Sequence, residues 1–309
     1  MNKIIDLSSI DREQFDVRDR DGLTLITPKK SKHVWQNHEL HLRSLLVRRA
    51  TGEVVSSGFP KFRNYGEDAQ DDADFRKALS EGNIVFTEKL DGTLIIADNI
   101  DGKAHFRTRG QFDLGDFEEP VMRLVKAKYP RLLEFLTKEE AICQRYSLLF
   151  EYTAPDNRIV IRYDEPELHL IGIVDKQTLF VEPEWRHRYI LDNSVEIPSA
   201  RIFVLPTSFQ MLMATIRGWK GREGVVARFY TQGPIVGVPY VKLLKIKTTQ
   251  YLRLHAIKFR LDGKVGKLCF LLGVRTLEDA RQKLFDMGID YETQEHIWPE
   301  VEKYVHDLN

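Results

Sequence analysis

The chain has 309 residues, of which 42% are hydrophobic and 30% are charged, a composition typical of a globular protein with a sizeable core. Its 46 basic residues balance its 46 acidic residues, so only a local basic patch is available to attract a nucleic acid. Two cysteines are too few for a disulfide scaffold and fit a reducing compartment. Residues 1–10 do not form a signal peptide and no apolar run reaches 18 residues, so we expect a cytoplasmic monomer without a membrane partner.

Alternating and β-branched apolar residues in the first third of the chain are typical of strands. The predicted strands cover residues 40–59 with a turn at Gly52, then 84–86, 94–97 and 104–107. The polar and acidic stretch 64–73 is typical of a loop, and residues 74–79 predict a short helix that ends at Gly82.

Two Asp-Gly pairs, Asp91-Gly92 and Asp101-Gly102, each separate two predicted strands. An Asp-Gly pair between strand-like runs is a strong signal for a hairpin turn. We therefore expect two hairpins, with Lys89 at the point where a strand ends and the first hairpin begins.

The middle of the chain mixes helical and strand patterns, whereas its last part has helical patterns alone. Helices are predicted over 118–128 and, after Pro130, over 131–136; strands are predicted over 147–152, 158–163, 168–174, 225–229 and 240–246. After about residue 249 the helical segments 277–287 and 292–308 follow, with polar faces. The sequence therefore predicts an α+β domain over residues 1–248 and a small helical C-terminal domain over residues 249–309.

Five short segments contain the groups that transfer of a nucleotide to a lysine requires. Such a transfer needs a lysine that can lose its proton, cations for the phosphates, carboxylates for a metal ion and contacts for the ribose. In chain order the segments are Lys89-Leu90-Asp91-Gly92-Thr93, Arg107-Thr108-Arg109-Gly110, Phe150-Glu151-Tyr152 with Asn157-Arg158-Ile159-Val160, Glu223-Gly224-Val225-Val226, and Lys245-Ile246-Lys247. Their order indicates this chemistry more strongly than any single segment.

Lys89 is the candidate nucleophile. A lysine at its ordinary pKa is protonated and cannot attack a phosphate, but desolvation or neighbouring cations make it reactive. Lys245 and Lys247 alternate with Ile246, so both share one face of a strand. We expect these two lysines to lie beside Lys89, to lower its pKa and to hold the phosphates of ATP. Taken alone, the motif also fits a surface lysine beside an Asp-Gly turn.

Glu151 and Glu223 lie next to apolar residues in or beside predicted strands. A carboxylate at such a position is costly to bury without a partner. Mg²⁺ prefers one or two carboxylates together with water and phosphate oxygens, and Mn²⁺ can substitute for it. A metal ion or a ribose hydroxyl is therefore one partner for these glutamates, and a salt bridge to Arg158 or Arg222 is the alternative.

Further cations and an aromatic residue are candidates for nucleotide contacts. Arg107 and Arg109 alternate, which predicts a shared strand face toward phosphate or ribose oxygens. Phe62 can stack on a base, with Lys61 or Arg43 on a phosphate. The alternatives are two arginines that face solvent and a phenylalanine that packs in the core.

These segments resemble the covalent nucleotidyltransferase superfamily of DNA ligases, RNA ligases and mRNA capping enzymes. The nucleophile motif of that superfamily, Lys-x-Asp-Gly, is Lys89-Leu90-Asp91-Gly92 in this chain. The likeness is greatest to the phage single-strand RNA ligases of the tRNA-repair type and covers about residues 43–247. It rests further on Gly58-Phe59-Pro60-Lys61-Phe62-Arg63-Asn64, on Phe150-Glu151-Tyr152 with Asn157-Arg158-Ile159-Val160, and on Lys245-Ile246-Lys247.

The resemblance implies a nucleotidyltransferase domain built on antiparallel sheets with flanking helices. It also implies an ATP-dependent ligase that joins RNA 5′-phosphate and 3′-hydroxyl ends through a lysyl-AMP intermediate and an adenylylated RNA end. Catalysis then falls to Lys89, Lys245 and Lys247, and metal binding to Glu223 and Glu151. The implied nucleotide-binding residues are Arg43, Lys61, Phe62, Glu88, Lys89, Asp91, Gly92, Arg109, Glu151, Glu223, Lys245 and Lys247.

The chain departs from the family pattern at two residues and in its tail. Arg63 replaces an aromatic residue, and Arg109 stands where a lysine is common. The segment after Lys247 lacks the pattern of the oligonucleotide-binding barrel that DNA ligases and capping enzymes usually carry. A DNA ligase of the same superfamily and a non-catalytic protein that binds nucleic-acid ends are the alternatives, and the complete motif set argues against the second.

Overall fold

The computed structural model describes residues 2–29, 33–138, 140–191, 195–232, 239–261, 264–287, 289 and 291–308. Within these residues the chain forms thirteen strands and ten α-helices. The strands are β1 Phe15–Arg20, β2 Leu23–Pro28, β3 Leu45–Arg48, β4 Val54–Ser57, β5 Arg63–Asn64, β6 Ile84–Lys89, β7 Thr93–Ile100, β8 Lys103–Thr108, β9 Tyr146–Thr153, β10 Glu167–Asp175, β11 Ile202–Phe203, β12 Gly224–Gln232 and β13 Pro239–Lys247. The helices are α1 Ala69–Glu81, α2 Glu118–Lys128, α3 Pro130–Thr137, α4 Ala141–Arg145, α5 Glu184–Leu191, α6 Phe209–Gly218, α7 Thr249–Leu261, α8 Val265–Leu271, α9 Leu277–Asp286 and α10 Tyr291–His306.

The strands form three sheets, and almost all neighbouring strands are antiparallel. The first sheet has the order β1-β2-β3-β4, the second β10-β9-β7-β8, and the third β11-β6-β12-β13-β5. The short strand β5 pairs with β13 in parallel. Antiparallel sheets with flanking helices are the α+β architecture that the sequence predicts.

Strand alternation buries both faces of the second and third sheets. In β7, Ile95 packs in the apolar cluster with α2 and α3, whereas its neighbour Ile96 belongs to a cluster between the two sheets. In β13, Leu244 packs with α1 and α6, and Leu243 faces the space between the sheets. Successive side chains of a strand point to opposite faces, so one strand contributes side chains to two apolar clusters. The candidate site lies in the space between these two sheets.

Most predicted elements are confirmed, but helix α1 begins earlier than its apolar pattern indicates. The carboxylate of Asp68 accepts hydrogen bonds from the backbone N–H groups of Gln70 and Asp71, so the helix starts at Ala69 within the predicted loop. Its end at Gly82 is confirmed, because that glycine has a φ of 72° and its N–H caps the last turn. The hairpin of β1 and β2 was not predicted.

One of the two predicted hairpins is confirmed and the other is wrong. Asp101 and Gly102 have φ angles of 54° and 72°, and they join the paired strands β7 and β8. Asp91 and Gly92 have no positive φ, and the strands that they join, β6 and β7, belong to different sheets. The segment after Lys89 is therefore a crossing between sheets.

The predicted strand over residues 158–163 is also wrong, since this segment has no regular secondary structure. The N–H groups of Val160 and Ile161 donate to the carboxylate of Asp91, at 2.7 and 2.8 Å, instead of to a neighbouring strand. A buried side chain thus supplies the acceptors that a strand partner would have supplied.

The C-terminal part of the chain is helical, as predicted. Helices α8, α9 and α10 pack around an apolar cluster of their own, which contains Val265, Cys269, Ala280, Leu284, Ile297 and Val301. Helix α7 packs instead on the preceding part of the chain, where Tyr251 and Leu254 contact Val160. No helix in the described part of the chain is long and apolar enough to cross a membrane.

Candidate active site

A cavity of about 690 Å³ lies between the second and third sheets, a volume suited to a nucleotide-sized ligand. Nine of the twelve residues predicted to bind the nucleotide line it: Arg43, Phe62, Glu88, Lys89, Gly92, Arg109, Glu151, Lys245 and Lys247. Glu223 does not line the cavity, but its buried carboxylate contacts two residues that do, Lys89 and Lys247. Lys61 lies in an adjoining groove, and Asp91 is buried.

Sheet register brings Lys89, Glu223 and Lys247 together. Gly224 in β12 is paired with Lys89 of β6 on one side and with Lys247 of β13 on the other. Glu223 precedes this glycine and pairs with both ammonium groups: its carboxylate accepts a hydrogen bond from Lys89 Nζ at 2.8 Å and forms an ion pair with Lys247 Nζ at 2.9 Å. The side chain of Glu223 is only 3% exposed, so one buried carboxylate neutralises two lysines.

The pKa of Lys89 is raised in this arrangement. Burial favours the neutral amine, but the carboxylates of Glu223, Glu151 and Asp91 and the hydrogen bond to Glu223 outweigh that effect. The expectation of a lowered pKa for Lys89 is therefore wrong here, because three carboxylates surround the amine. Lys89 is an ammonium group that must give up its proton before it can act as a nucleophile.

The strongly lowered pKa belongs to Lys245. Burial and then the positive charges of Arg43, Lys89, Lys61 and Lys247 lower it to about 6. Its Nζ lies 4.4 Å from the centroid of the Phe62 ring. Ile246 is buried against the helices on the opposite face, so the predicted shared face of Lys245 and Lys247 is confirmed. An anion that enters the cavity beside Lys245 restores its charge.

Asp91 organises the segment that follows Lys89. One carboxylate oxygen accepts from the N–H groups of Val160 and Ile161, and the other accepts from the hydroxyl of Tyr251 at 2.7 Å. The backbone N–H of Asp91 donates to the hydroxyl oxygen of Tyr163 at 3.0 Å. Because both carboxylate oxygens are engaged and the residue is 2% exposed, Asp91 does not line the cavity. It holds the chain next to Lys89 in place.

Gly92 allows the close approach that positions Glu151. Its N–H donates to Glu151 Oε1 at 2.9 Å, and its Cα lies against the backbone of β9. A Cβ at this position would lie 2.2 Å from the carbonyl oxygen of Tyr152. Glycine is therefore required here by space, even though its φ is ordinary.

Replacement of Gly92 by alanine is expected to shift the segment after Lys89 and to reduce self-labelling with AMP at least about 100-fold, since a displacement of about 1 Å has that cost in an active site. Overpacking is also expected to destabilise the fold by about 1–3 kcal/mol. Rates of labelling and thermal unfolding measure the two effects. Gly110→Ala is the control for unfolding, because a Cβ there meets no atom within 4 Å. Equal unfolding temperatures for the two variants would contradict the close-approach argument.

A group of cations and one aromatic ring surrounds the other side of the cavity. Arg43 lies at the end of a 3-10 helix, Asn37–Arg43, and its guanidinium is 5.9 Å from the centroid of Phe62. Burial and the neighbouring charge of Arg109 lower the pKa of Arg43 to about 10. Lys61 lies in an adjoining groove of about 230 Å³ rather than in the cavity itself. Burial lowers its pKa as well.

The predicted shared face of Arg107 and Arg109 is wrong, because β8 ends at Thr108. Arg107 is fully buried and donates to the hydroxyl oxygens of Ser56 and Ser44, at 2.7 and 2.9 Å. The hydroxyl of Ser44 in turn donates to the carbonyl oxygen of Arg109 at 2.7 Å. Arg107 therefore supports the backbone that presents Arg109 to the cavity.

Sequence reasoning missed several residues that shape the site, among them Arg228 and Tyr251. Arg228 lines the cavity, forms an ion pair with Glu184 at 2.7 Å and donates to the hydroxyl of Thr87 at 3.1 Å. A lone arginine within the apolar strand pattern of β12 is a signal that was available in the sequence. No such signal marks Tyr251, which lies in the predicted helical tail and reaches Asp91 only through the tertiary fold.

Loss of the Tyr251 hydroxyl is expected to weaken the hold on Asp91. A hydrogen bond to a charged group contributes about 1.5–3 kcal/mol, so Tyr251→Phe is expected to slow self-labelling roughly tenfold or more. The ring remains, and so does its contact with Lys247 Nζ at 4.8 Å from the ring centroid. Single-turnover labelling measures the rate. A rate equal to that of the unmodified protein would exclude a role for this hydrogen bond.

Family comparison agrees with this geometry. A family model described as RNA ligase matches residues 41–251, and the chain belongs to this RNA ligase family. It is 26% identical over 220 residues to a protein named "Putative RNA ligase" of Thermovibrio ammonificans, a match that covers 69% of this chain and 52% of that protein. The chain spans about half the length, or less, of the curated relatives that it matches.

Solved structures show the same fold at low sequence identity. An archaeal ATP-dependent RNA ligase aligns with a TM-score of 0.51 and 19% identity, over 92% of this chain and 75% of that one. A protein named "Putative ATP-dependent DNA ligase from Aquifex aeolicus" aligns with a TM-score of 0.52 and 14% identity, over 96% of this chain and 75% of that one. These likenesses extend through the helical C-terminal part and concern the fold alone.

Proposed function

We propose that this protein is an ATP-dependent RNA ligase that joins 5′-phosphate and 3′-hydroxyl ends through a lysyl-AMP intermediate on Lys89. The observation that carries the proposal is the position of Lys89 at the edge of a nucleotide-sized cavity, between Glu223 and a row of cations. Membership of the RNA ligase family supports RNA as the substrate. The alternative for Lys89, a surface lysine beside a turn, would lack the cavity, the carboxylate of Glu223 and the neighbouring cations.

The proposed reaction has three steps. The Lys89 amine attacks the α-phosphorus of ATP, a nitrogen–phosphorus bond forms and pyrophosphate leaves. A 5′-phosphate oxygen of the RNA then attacks the same phosphorus, and the lysine leaves to give an adenylylated RNA end. Finally the 3′-hydroxyl attacks the 5′-phosphorus, a phosphodiester forms and AMP leaves.

The residues around Lys89 have defined parts in this scheme. Glu223 Oε2 already accepts a hydrogen bond from Lys89 Nζ and is the nearest group that can take its proton. Lys245 and Lys247 hold phosphate oxygens and stabilise the charge that develops during transfer. Arg43 and Arg109 contact phosphate or ribose oxygens on the other side of the cavity, and Phe62 packs on the nucleotide.

A divalent ion, Mg²⁺ with Mn²⁺ as a substitute, is part of the proposal. No cluster of three or more His, Cys, Asp or Glu side chains forms a metal site among the described residues. Two carboxylates that share an ion with phosphates and water fit this composition. Burial raises the pKa of Glu151 to about 7, and a cation beside it would stabilise its charged form. Glu151 and Glu223 would hold the ion, which neutralises phosphate charge.

Incubation of the full chain with labelled ATP and Mg²⁺ tests the proposal. A covalent AMP label on the protein is expected, and a labelled peptide identified by mass spectrometry should contain Lys89. Sealing is then compared on 5′-phosphorylated single-stranded RNA, single-stranded DNA and a nicked duplex. Absence of a label excludes the enzyme, whereas a label with preference for a DNA substrate supports the DNA ligase alternative.

Proton uptake on ATP binding is a second expected result, because a phosphate beside Lys245 raises its pKa from about 6. Below pH 6 the lysine is already charged, so affinity is constant. Above pH 6 the free protein has lost the proton that the complex requires, and affinity falls by up to about tenfold per pH unit. Calorimetry without metal, in buffers of different ionisation enthalpy, measures the uptake. Lys245→Met should remove it, and equal uptake in both proteins would contradict the assignment.

We also propose the division of the chain into a nucleotidyltransferase domain, residues 1–248, and a helical C-terminal domain, residues 249–309. The separate apolar cluster of α8, α9 and α10 supports it. Helix α7 is shared between the two, because its Tyr251 contacts Asp91 next to the nucleophile.

A further inference from the structure

A further groove lies outside the cavity, where the end of α6 and the two residues after it meet the start of α7. It has a volume of about 490 Å³ and is lined by residues that include Arg217, Trp219, Lys220, Gln250 and Arg253. We call these five residues the basic groove. None of the described residues that line it is acidic. In a chain whose net charge is zero, such a surface is a local concentration of positive charge.

Arg222 lies between the basic groove and the Lys89 end of the cavity. Arg222 donates to the carboxylate of Glu88, a cavity residue, at 2.7 Å and lies 5.9 Å from the centroid of the Trp219 ring. The N–H of Gly221 donates to Gln250 Oε1 at 2.6 Å, which fixes the connecting loop against α7. Arg222 and then Glu223, the partner of Lys89, follow Gly221 in this loop. The basic groove therefore lies near Lys89 through these contacts.

Two cations of the groove, Arg217 and Lys220, are available to a ligand, and the aromatic ring of the groove is held in place. Arg217 and Lys220 are exposed, and neither forms an ion pair within the described part of the chain. Trp219 is half-buried and packs on Phe203, with ring centroids 4.9 Å apart and planes at 53°. Proteins that bind single-stranded nucleic acids combine an aromatic ring, on which a base stacks, with cations that contact the backbone phosphates. Trp219 with Arg217 and Lys220 has this composition.

We propose that the basic groove binds the sugar-phosphate backbone of the single-stranded RNA whose end reacts at Lys89, with Arg217 and Lys220 on phosphates. The inference rests on the proposed function for the identity of the strand. An acidic protein segment would also be attracted by charge, but it has no reason to bind next to the nucleophile. Proximity to Lys89 therefore favours RNA.

Salt dependence of RNA binding tests the proposal in the full chain. Each phosphate contact with a single strand contributes about 0.7 to the slope of log affinity against log salt concentration. Arg217→Gln/Lys220→Gln is expected to reduce that slope by about 1.4 in anisotropy measurements with fluorescent 5′-phosphorylated single-stranded RNA. The matched control, Lys103→Gln/Lys126→Gln, removes two exposed charges from the start of β8 and from α2. It is expected to keep the original slope.

Sealing kinetics supply a second measurement. The fraction of each preparation that accepts labelled AMP is determined first and used to normalise the rates. The KM for RNA is expected to rise at least tenfold in the groove variant, with kcat little changed. Equal salt slopes and equal KM values for the groove variant and the control would overturn the proposal. If the unmodified protein accepts no AMP, the proposed function fails, and the binding slope alone still decides whether the groove holds RNA.

Discussion

Replacement of Lys89 by alanine is expected to abolish the AMP label and all joining of RNA ends. Lys247 also lines the cavity and forms an ion pair with Glu223, but Lys89 stands in the Lys-x-Asp-Gly segment and donates a hydrogen bond to Glu223. Lys89→Arg is expected to fail equally, because a guanidinium keeps its proton at any accessible pH. Gel detection of protein labelled with ATP measures the first effect, and sealing of 5′-phosphorylated RNA measures the second.

A control variant and a bypass substrate make this expectation specific. Lys103→Ala changes an exposed lysine at the start of β8 and should label normally. RNA that already carries AMP on its 5′ end does not need the lysine to accept AMP, so Lys89→Ala should retain part of its sealing activity on that substrate. A normal level of label on either Lys89 variant would show that the nucleophile is another residue.

Loss of the carboxylate at Glu223 is expected to have the second largest effect. Its two oxygens form ion pairs with Lys89 and Lys247, and it is proposed to share a divalent ion with Glu151. Glu223→Gln keeps the shape but removes the charge, and it is expected to reduce self-labelling at least about 100-fold. The metal requirement should move to higher Mg²⁺ concentration. Rates of labelling over a Mg²⁺ titration at fixed ATP measure both changes.

The free energy of unfolding distinguishes the contribution of the Glu223 charge to the fold from the role proposed for Glu223 in catalysis. Glu223→Ala leaves two largely buried ammonium groups without their carboxylate, a change that costs about 3–5 kcal/mol in comparable buried pairs. The partial exposure of Lys89 and Lys247, 21% and 20%, reduces that cost. Urea unfolding of both variants is the measurement.

If labelling by Glu223→Gln keeps the Mg²⁺ dependence of the unmodified protein, Glu223 does not hold the ion.

Sequence periodicity predicted the parts of the site that depend on neighbours in the chain. The alternation of Lys245, Ile246 and Lys247 put both lysines on one face, and the structure confirms it, because a strand turns successive side chains to opposite sides wherever it lies. The Asp101-Gly102 turn was predictable for the same reason, since positive φ angles are a property of the two residues themselves.

Predictions from local composition were wrong where a group from a distant part of the chain binds the segment. Asp91-Gly92 has the composition of a hairpin turn, yet Asp91 is held by Tyr251, which lies far along the chain, and Gly92 is fitted against β9. Residues 158–163 have a strand composition, yet their N–H groups bind Asp91. Propensity describes what a segment does alone, and tertiary contacts of this kind override it.

The sequence by itself determined the α+β class, the likeness to the ligases and the candidate nucleophile, because these depend on composition, on strand and helix periods and on short motifs. Only the tertiary structure decided the protonation of the site. Lys89 has a raised pKa, against the expectation, since three carboxylates surround it. Lys245, for which no shift was predicted from the sequence, has a lowered pKa, since it is buried and four cations surround it. Charge interactions depend on distance and on burial, and neither can be read from the order of residues.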